Sequence, residues 1–245
     1  MIADVQTVIW KEFKELFAQR TGLRGGVAGL LVLLAVFGVF MPLQAGRAWV
    51  ESPGVLIYWA WIPLFLVSGV VADSFAGERE RHTLETLLAS RLSDRAILLG
   101  KIGAAVSYGW GLMLASLLLG VVTVNIAYGR GKLLFYPAGT ALAILILGLL
   151  TACLAASAGV LISLRAPTAR QAQQTLSIAI MLLLFVPIFG IQALPTEWKV
   201  RLARMLLAAD LTRLVLIIMA ILLALDIGLF AAAMARFQRA RLILD

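Results

Sequence analysis

Six stretches of the chain are almost entirely apolar: 23–41, 54–72, 102–126, 138–163, 176–193 and 211–234. Each is close to or above the ~20 residues that an α-helix needs to cross a bilayer. In lipid only helices and closed barrels satisfy their own backbone, and these runs lack the period-two alternation of barrel strands. The pattern therefore predicts an all-α polytopic membrane protein with six transmembrane helices in a single domain over 1–245. No stretch between the runs is long enough for a water-soluble domain.

Three connecting segments are patterned too. In 2–20, Ile2, Val5, Ile9, Trp10, Phe13, Leu16 and Phe17 fall within roughly a 140° arc at ~100° per residue, opposite Asp4, Lys11, Lys14 and Glu15. This predicts an amphipathic helix lying in the membrane surface, with Trp10, Phe13 and Phe17 as its interfacial residues. Between the second and third runs, Leu84, Leu87 and Leu88 form an apolar stripe one turn long on an otherwise charged helix; Ser93 is placed to cap the next helix, with Asp94 in its first turn. Such a short exposed stripe calls for a partner, or belongs to a solvated charged face. Before the last run, Trp198, Leu202, Met205, Leu206 and Ala209 recur at helical spacing behind Pro195 and Thr196 and predict one short helix.

Composition agrees. Of 245 residues, 62% are hydrophobic and 14% charged, the mean hydropathy is +0.99, and a soluble domain is excluded. The formal charge of +8 would suggest nucleic acid in a soluble protein, but its distribution points to membrane topology and to no nucleic-acid partner. Fourteen Lys and Arg lie in the N-terminal segment, the second and fourth connections and the C-terminal tail. Seven lie on the other side: Arg47, Arg130, Lys132, Lys199, Arg201, Arg204 and Arg213. The positive-inside rule then predicts a multi-pass protein of the inner (cytoplasmic) membrane with both termini and the 73–101 connection in the cytoplasm. The mixed charges of Lys11, Glu12, Lys14 and Glu15 argue against a cleaved leader.

Candidate chemistry is sparse. His82 has no second imidazole or thiol beside it, Cys153 is alone within an apolar run, and the segment Gly129-Arg130-Gly131-Lys132-Leu133 lacks the first glycine and the hydroxyl of a phosphate-binding loop. No catalytic, cofactor or metal site is expected in this chain. Asp226 is the one carboxylate inside a predicted span away from its ends, and an intramembrane carboxylate is a candidate polar site by default.

The run Phe75-Ala76-Gly77-Glu78-Arg79-Glu80-Arg81-His82-Thr83-Leu84-Glu85-Thr86-Leu87-Leu88, followed by Leu92-Ser93 and Leu99-Gly100-Lys101, resembles the permease subunits of type-2 ATP-binding-cassette transporters. These carry a G-E-x-E-x-G-T-L-E-x-L-L pattern between spans two and three, then P-[LVI]-[ST] and a G-K. His82 stands at the family's usual glycine and Arg91 at its frequent proline, which puts the flanking turn geometry in question. The resemblance implies that 75–92 holds a coupling helix, with Glu78, Thr83, Leu84, Glu85, Leu87 and Leu88 against a separate ATPase subunit. It further implies two ATPase copies carrying ATP and Mg and a second identical or homologous permease chain; the uniformly apolar spans point to contact with membrane lipid and to an amphiphilic substrate exported outward. Three other readings stay open: a transmitter of ATP-driven motion to an extracytoplasmic partner, an ion-coupled carrier using Asp226, and an energy-coupling subunit of a vitamin importer, which has no reason to carry the T-L-E-x-L-L segment.

Overall fold

The computed structural model describes residues 1–20, 26–208 and 210–237. Among them there is no strand, and six helical segments are long and apolar enough to cross a membrane. Helix α1 (Ile2–Arg20) precedes the first span, which is built from α2 (Gly26–Ala35), a π-helical turn (Val36–Phe40) and α3 (Met41–Ala45). The short α4 (Ala48–Glu51) leads to α5 (Val55–Glu80), the second span; α6 (Leu84–Leu88) connects it to α7 (Asp94–Tyr128). Then come α8 (Ala138–Ser163), α9 (Ala169–Ala193), the connecting α10 (Thr196–Ala208) and α11 (Leu211–Arg236).

Local chemistry sets several of these boundaries. Ser93 Oγ accepts from Ala96 N at the start of α7, Thr168 Oγ1 from Gln171 N at α9, and Asp210 from Thr212 N at α11, each satisfying an orphan donor. The π turn has a readable cause. Pro42 has no N–H to give to the carbonyl four residues back, and that carbonyl, of Gly38, instead accepts from Thr123 Oγ1 of α7 at 2.7 Å. Gly38 itself is buried against Leu119.

Helix α5 lies at the centre, packed on α7, α8 and α9; α1 packs on α7 and α11 on α8. Helices α5 and α8 bury more than half of their spans, whereas α9 and α11 bury about a tenth or less. Close approach depends on glycine at the α5 contacts: Val67 fills the space where a side chain on Gly109 would go, and Val71 does the same at Gly159. Gly69, by contrast, faces open space.

The helices outrun the apolar runs that announce them. Helix α5 continues to Glu80 rather than ending near 72 and α9 begins at Ala169 rather than 176, while α7 begins at Asp94, behind its expected Ser93 cap and ahead of the apolar run at 102. The first span is shifted the other way, to Ala28–Ala45, with 21–25 outside the described residues. All three extensions lie at the end of the bundle that carries α1 and α6; the opposite end, with α4 and α10, is called the far end below.

Candidate functional site

The segment 73–101 forms the α5–α6–α7 junction, and three consecutive residues organise it. Successive helical positions point about 100° apart, so Glu78, Arg79 and Glu80 at the end of α5 reach three different neighbours. Glu78 is 2% exposed; its Oε1 accepts from Lys11 Nζ of α1 at 2.7 Å and pairs with Lys101 Nζ of α7 at 3.1 Å. Arg79 donates to Leu164 O at 2.9 Å and also to Ala166 O, occupying carbonyls that the end of α8 leaves without an intrahelical donor. Glu80 Oε2 accepts from Ala169 N at the start of α9, 3.2 Å away. One turn of α5 is thereby fastened to α1, α7, α8 and α9.

Lys101 is the centre of this knot. It is 2% exposed, and its ammonium donates to Glu12 Oε1 at 2.8 Å and Ser74 O at 2.7 Å while lying 5.1 Å from the centre of the Phe75 ring. Its three protons thus have three oxygen partners, the condition under which a buried charge is tolerated. Glu12, Glu15 and Glu78 bring carboxylate oxygens within 4.8 Å of one another, and the ammonium groups of Lys11 and Lys101 lie among them. A cavity of about 20 Å³ bordered by Glu78, Glu15 and Arg81 is the size of a single water, and Glu78 Oε2 has no partner among the described residues. Burial alone would lower the Lys11 ammonium. Its hydrogen bond to Glu78 and the charges of Glu78, Glu12 and Glu15 outweigh this and hold it above its usual range. The pairing is therefore complete at neutral pH, and on the alkaline side it is lost as pH climbs through that raised value.

Beyond Glu80 the chain closes in a Schellman turn: Thr83 N donates to Glu78 O at 2.9 Å and His82 N to Arg79 O at 3.1 Å. His82 occupies the left-handed position with φ +55°, which explains why the resembling family places glycine there. Gly77 is constrained differently, since any side chain on it would strike the Asp73 carboxylate that pairs with Arg81 at 3.1 Å. His82→Gly should keep the fold and raise stability by about 1 kcal/mol, measured as a higher unfolding midpoint in detergent; an unchanged or lower midpoint would show that the imidazole compensates the strain.

The residues expected on a docking surface divide. Thr83, Glu85 and Thr86 are exposed. Leu84 is only 7% exposed and belongs to the buried cluster that holds Phe75, Ile97 and Leu98, with Leu87 packed against it; the side chain of Leu88 lies outside the described ones. Leu84 and Leu87 therefore find a partner inside their own chain, and Glu78, expected to face the ATPase, is enclosed by α1 and α7. On α1 the expected interfacial residues divide as well. Trp10 is 74% exposed, Phe13 packs on the bundle, and the side chain of Phe17 lies outside the described ones. The residue that seats α1 is Val8, 1% exposed over Gly100, where no side chain would fit.

Asp226 is not part of this junction. It is 8% exposed on α11, the helix that packs on α8, and neither carboxylate oxygen has a partner among the described residues. Phe237, eleven residues further along the chain, is what ties α11 to the junction, with its ring 5.1 Å from that of Phe75.

Sequence reading missed Lys11, Glu12, Val8, Arg79, Glu80 and Lys101 as site residues. Their legible signals were Glu80, at the second glutamate of the resembling pattern, and Gly100-Lys101, its G-K on the threshold of an apolar run. Compared with known families, residues 3–209 match the model described as ABC-2 type transporter, a stretch that takes in α1, the whole junction and five of the six spans. No curated protein matches the chain.

Proposed function

Since the chain belongs to the ABC-2 type transporter family and is a permease component of an ATP-binding-cassette transporter, we propose that it forms half of an export path and is driven by separate ATPase subunits. Two permease chains, identical or homologous, pair in the cell membrane, and two ATPase copies carrying ATP and Mg dock from the cytoplasm against α6. The charge bias supports this orientation, with α1, α6 and both termini on that side.

The observation that carries this reading is the fastening of α5 just ahead of α6. A push on α6 reaches α5 through the Schellman turn and is shared at once with α1, α7, α8 and α9 through Glu78, Arg79 and Glu80. Energetic coupling requires an element whose contacts differ between two states, and this junction joins the exposed α6 to most of the bundle by short, directional bonds. The docking contacts are Thr83, Glu85 and Thr86, with Leu84 and Leu87 holding α6 in place from beneath.

The test is co-expression with a candidate ATPase subunit and purification of the complex. Glu85→Arg should leave unfolding of the permease within about 0.5 kcal/mol of the parent and abolish co-purification. Retained association would overturn the docking face. The unpartnered Asp226 favours a second reading as an ion-coupled carrier; it would be supported by a chain that purifies without any ATPase and loses transport on Asp226→Asn.

A further inference from the structure

We propose that the cleft between α5, α8 and α11 at the far end of the bundle binds one acyl chain of an anionic phospholipid, whose phosphate pairs with Arg213. The cleft encloses about 580 Å³. Among the described lining residues its only hydroxyl-bearing side chain, Thr151, is bonded to Leu147 O at 2.9 Å and Gly148 O at 3.2 Å of its own helix, so that hydroxyl calls for no water, and the remaining walls are almost entirely apolar. Along α11 it runs from Leu211 to Leu222, about 16 Å at 1.5 Å per residue, which is close to the ~15 Å depth of one leaflet. Ile57, Leu211 and Ile218 on its walls are about half exposed or more, so it opens sideways. Wall atoms facing a void forfeit their dispersion contacts, and in a bilayer the material at hand to restore them is an acyl chain.

The mouth supplies the headgroup chemistry. Arg213, between the lining residues Leu211 and Leu214, is 84% exposed in its side chain, and its Nε is 4.0 Å from Asp210, too far for a hydrogen bond. The far-end segments carry seven Lys and Arg against the three acids Glu51, Glu197 and Asp210, a surface that attracts anionic lipid. The same charge disfavours a second copy as the occupant. A two-fold interface would lay this face on itself and bring two Arg213 side chains and two basic α10 helices together.

Trp61 lines the cleft and reports on it. The full chain is placed in mixed phosphatidylcholine and phosphatidylglycerol vesicles in which only one lipid carries brominated chains, and the Trp61 contribution is isolated by difference from Trp61→Phe. Trp61 should be quenched with about a five-fold preference for brominated phosphatidylglycerol. Arg213→Lys should keep that preference and Arg213→Gln should remove it, while Ala60→Phe, by filling the cleft, should lower quenching by either lipid. Equal quenching by both lipids in the parent chain would overturn the proposal in favour of ordinary annular contact. Quenching by neither, recovered on dilution to monomers, would overturn it in favour of a second copy. The experiment needs neither ATP nor an ATPase, so its failure leaves the permease reading untouched.

Discussion

Lys101→Met should destabilise the folded chain by about 3–5 kcal/mol, the range for breaking a buried ion pair from one side, and should release α1 from α7. Methionine fills nearly the same volume, so the loss is one of charge and hydrogen bonds. Without the ammonium, the Oε1 atoms of Glu78 and Glu12 lose contacts of 3.1 and 2.8 Å, Ser74 O loses its side-chain donor, and Lys11 remains as the compensating cation. Denaturant unfolding in micelles measures the first effect, and trypsin cleavage at Lys11 and Lys14 measures the second. Adding Glu78→Gln to Lys101→Met should restore part of the loss, because the stranded charge goes with its partner; sub-additivity of 0.5 kcal/mol or more is expected for groups in one network. A single-variant loss below about 1 kcal/mol, the level of an exposed pair, would mean that the knot does not hold the junction together.

Leu84→Asp should be the second large effect, and it separates folding from docking. Leu84 is 7% exposed and part of the central buried cluster, so truncating it to alanine costs about 2–5 kcal/mol, and a carboxylate adds an unpaired charge in the same space. The variant should unfold at lower denaturant and lose ATPase association together. Glu85→Arg, one residue further along, should lose association alone. If Leu84→Asp left stability unchanged while abolishing association, the leucine would be facing the ATPase, as the sequence pattern by itself suggests.

That contrast shows what the sequence carried and what it did not. Six spans, the helix ahead of the last one and the Ser93 cap were all legible, because hydropathy and capping are local. The last turns of α5 and the start of α9 were not, because a hydropathy run stops at the first charge. Glu78 and Arg79 stay helical and buried or half-buried only because partners as distant as Lys11 and Leu164 meet them. The stripe Leu84, Leu87 and Leu88 is likewise silent about which surface it covers, since its spacing fits an outside partner and its own bundle equally. Which glycines permit close packing is equally silent in the sequence: Gly69 faces open space while Gly159 meets Val71, because packing depends on the face on which a residue lands. The departure at His82 was visible as a mismatch to the family pattern, and its meaning became clear only with the φ of +55°.

The ion-pair knot also imposes a timetable on synthesis. Glu12 and Lys101 are 89 residues apart, and a ribosome adding about 5–20 residues per second delivers the start of α7 roughly 4–18 s after α1. During that interval the first helix has no Gly100 to receive Val8 and no ammonium to meet Glu12, and Glu78 emerges ahead of Lys101 as well. The exposed Ile2 and Trp10 suit α1 to wait at the lipid surface, where its charges remain hydrated, until the third span arrives. Helix α1 is thus seated only once the third span has arrived, ahead of α8, α9 and α11, and correct insertion of α7 becomes the step that locks it into the bundle.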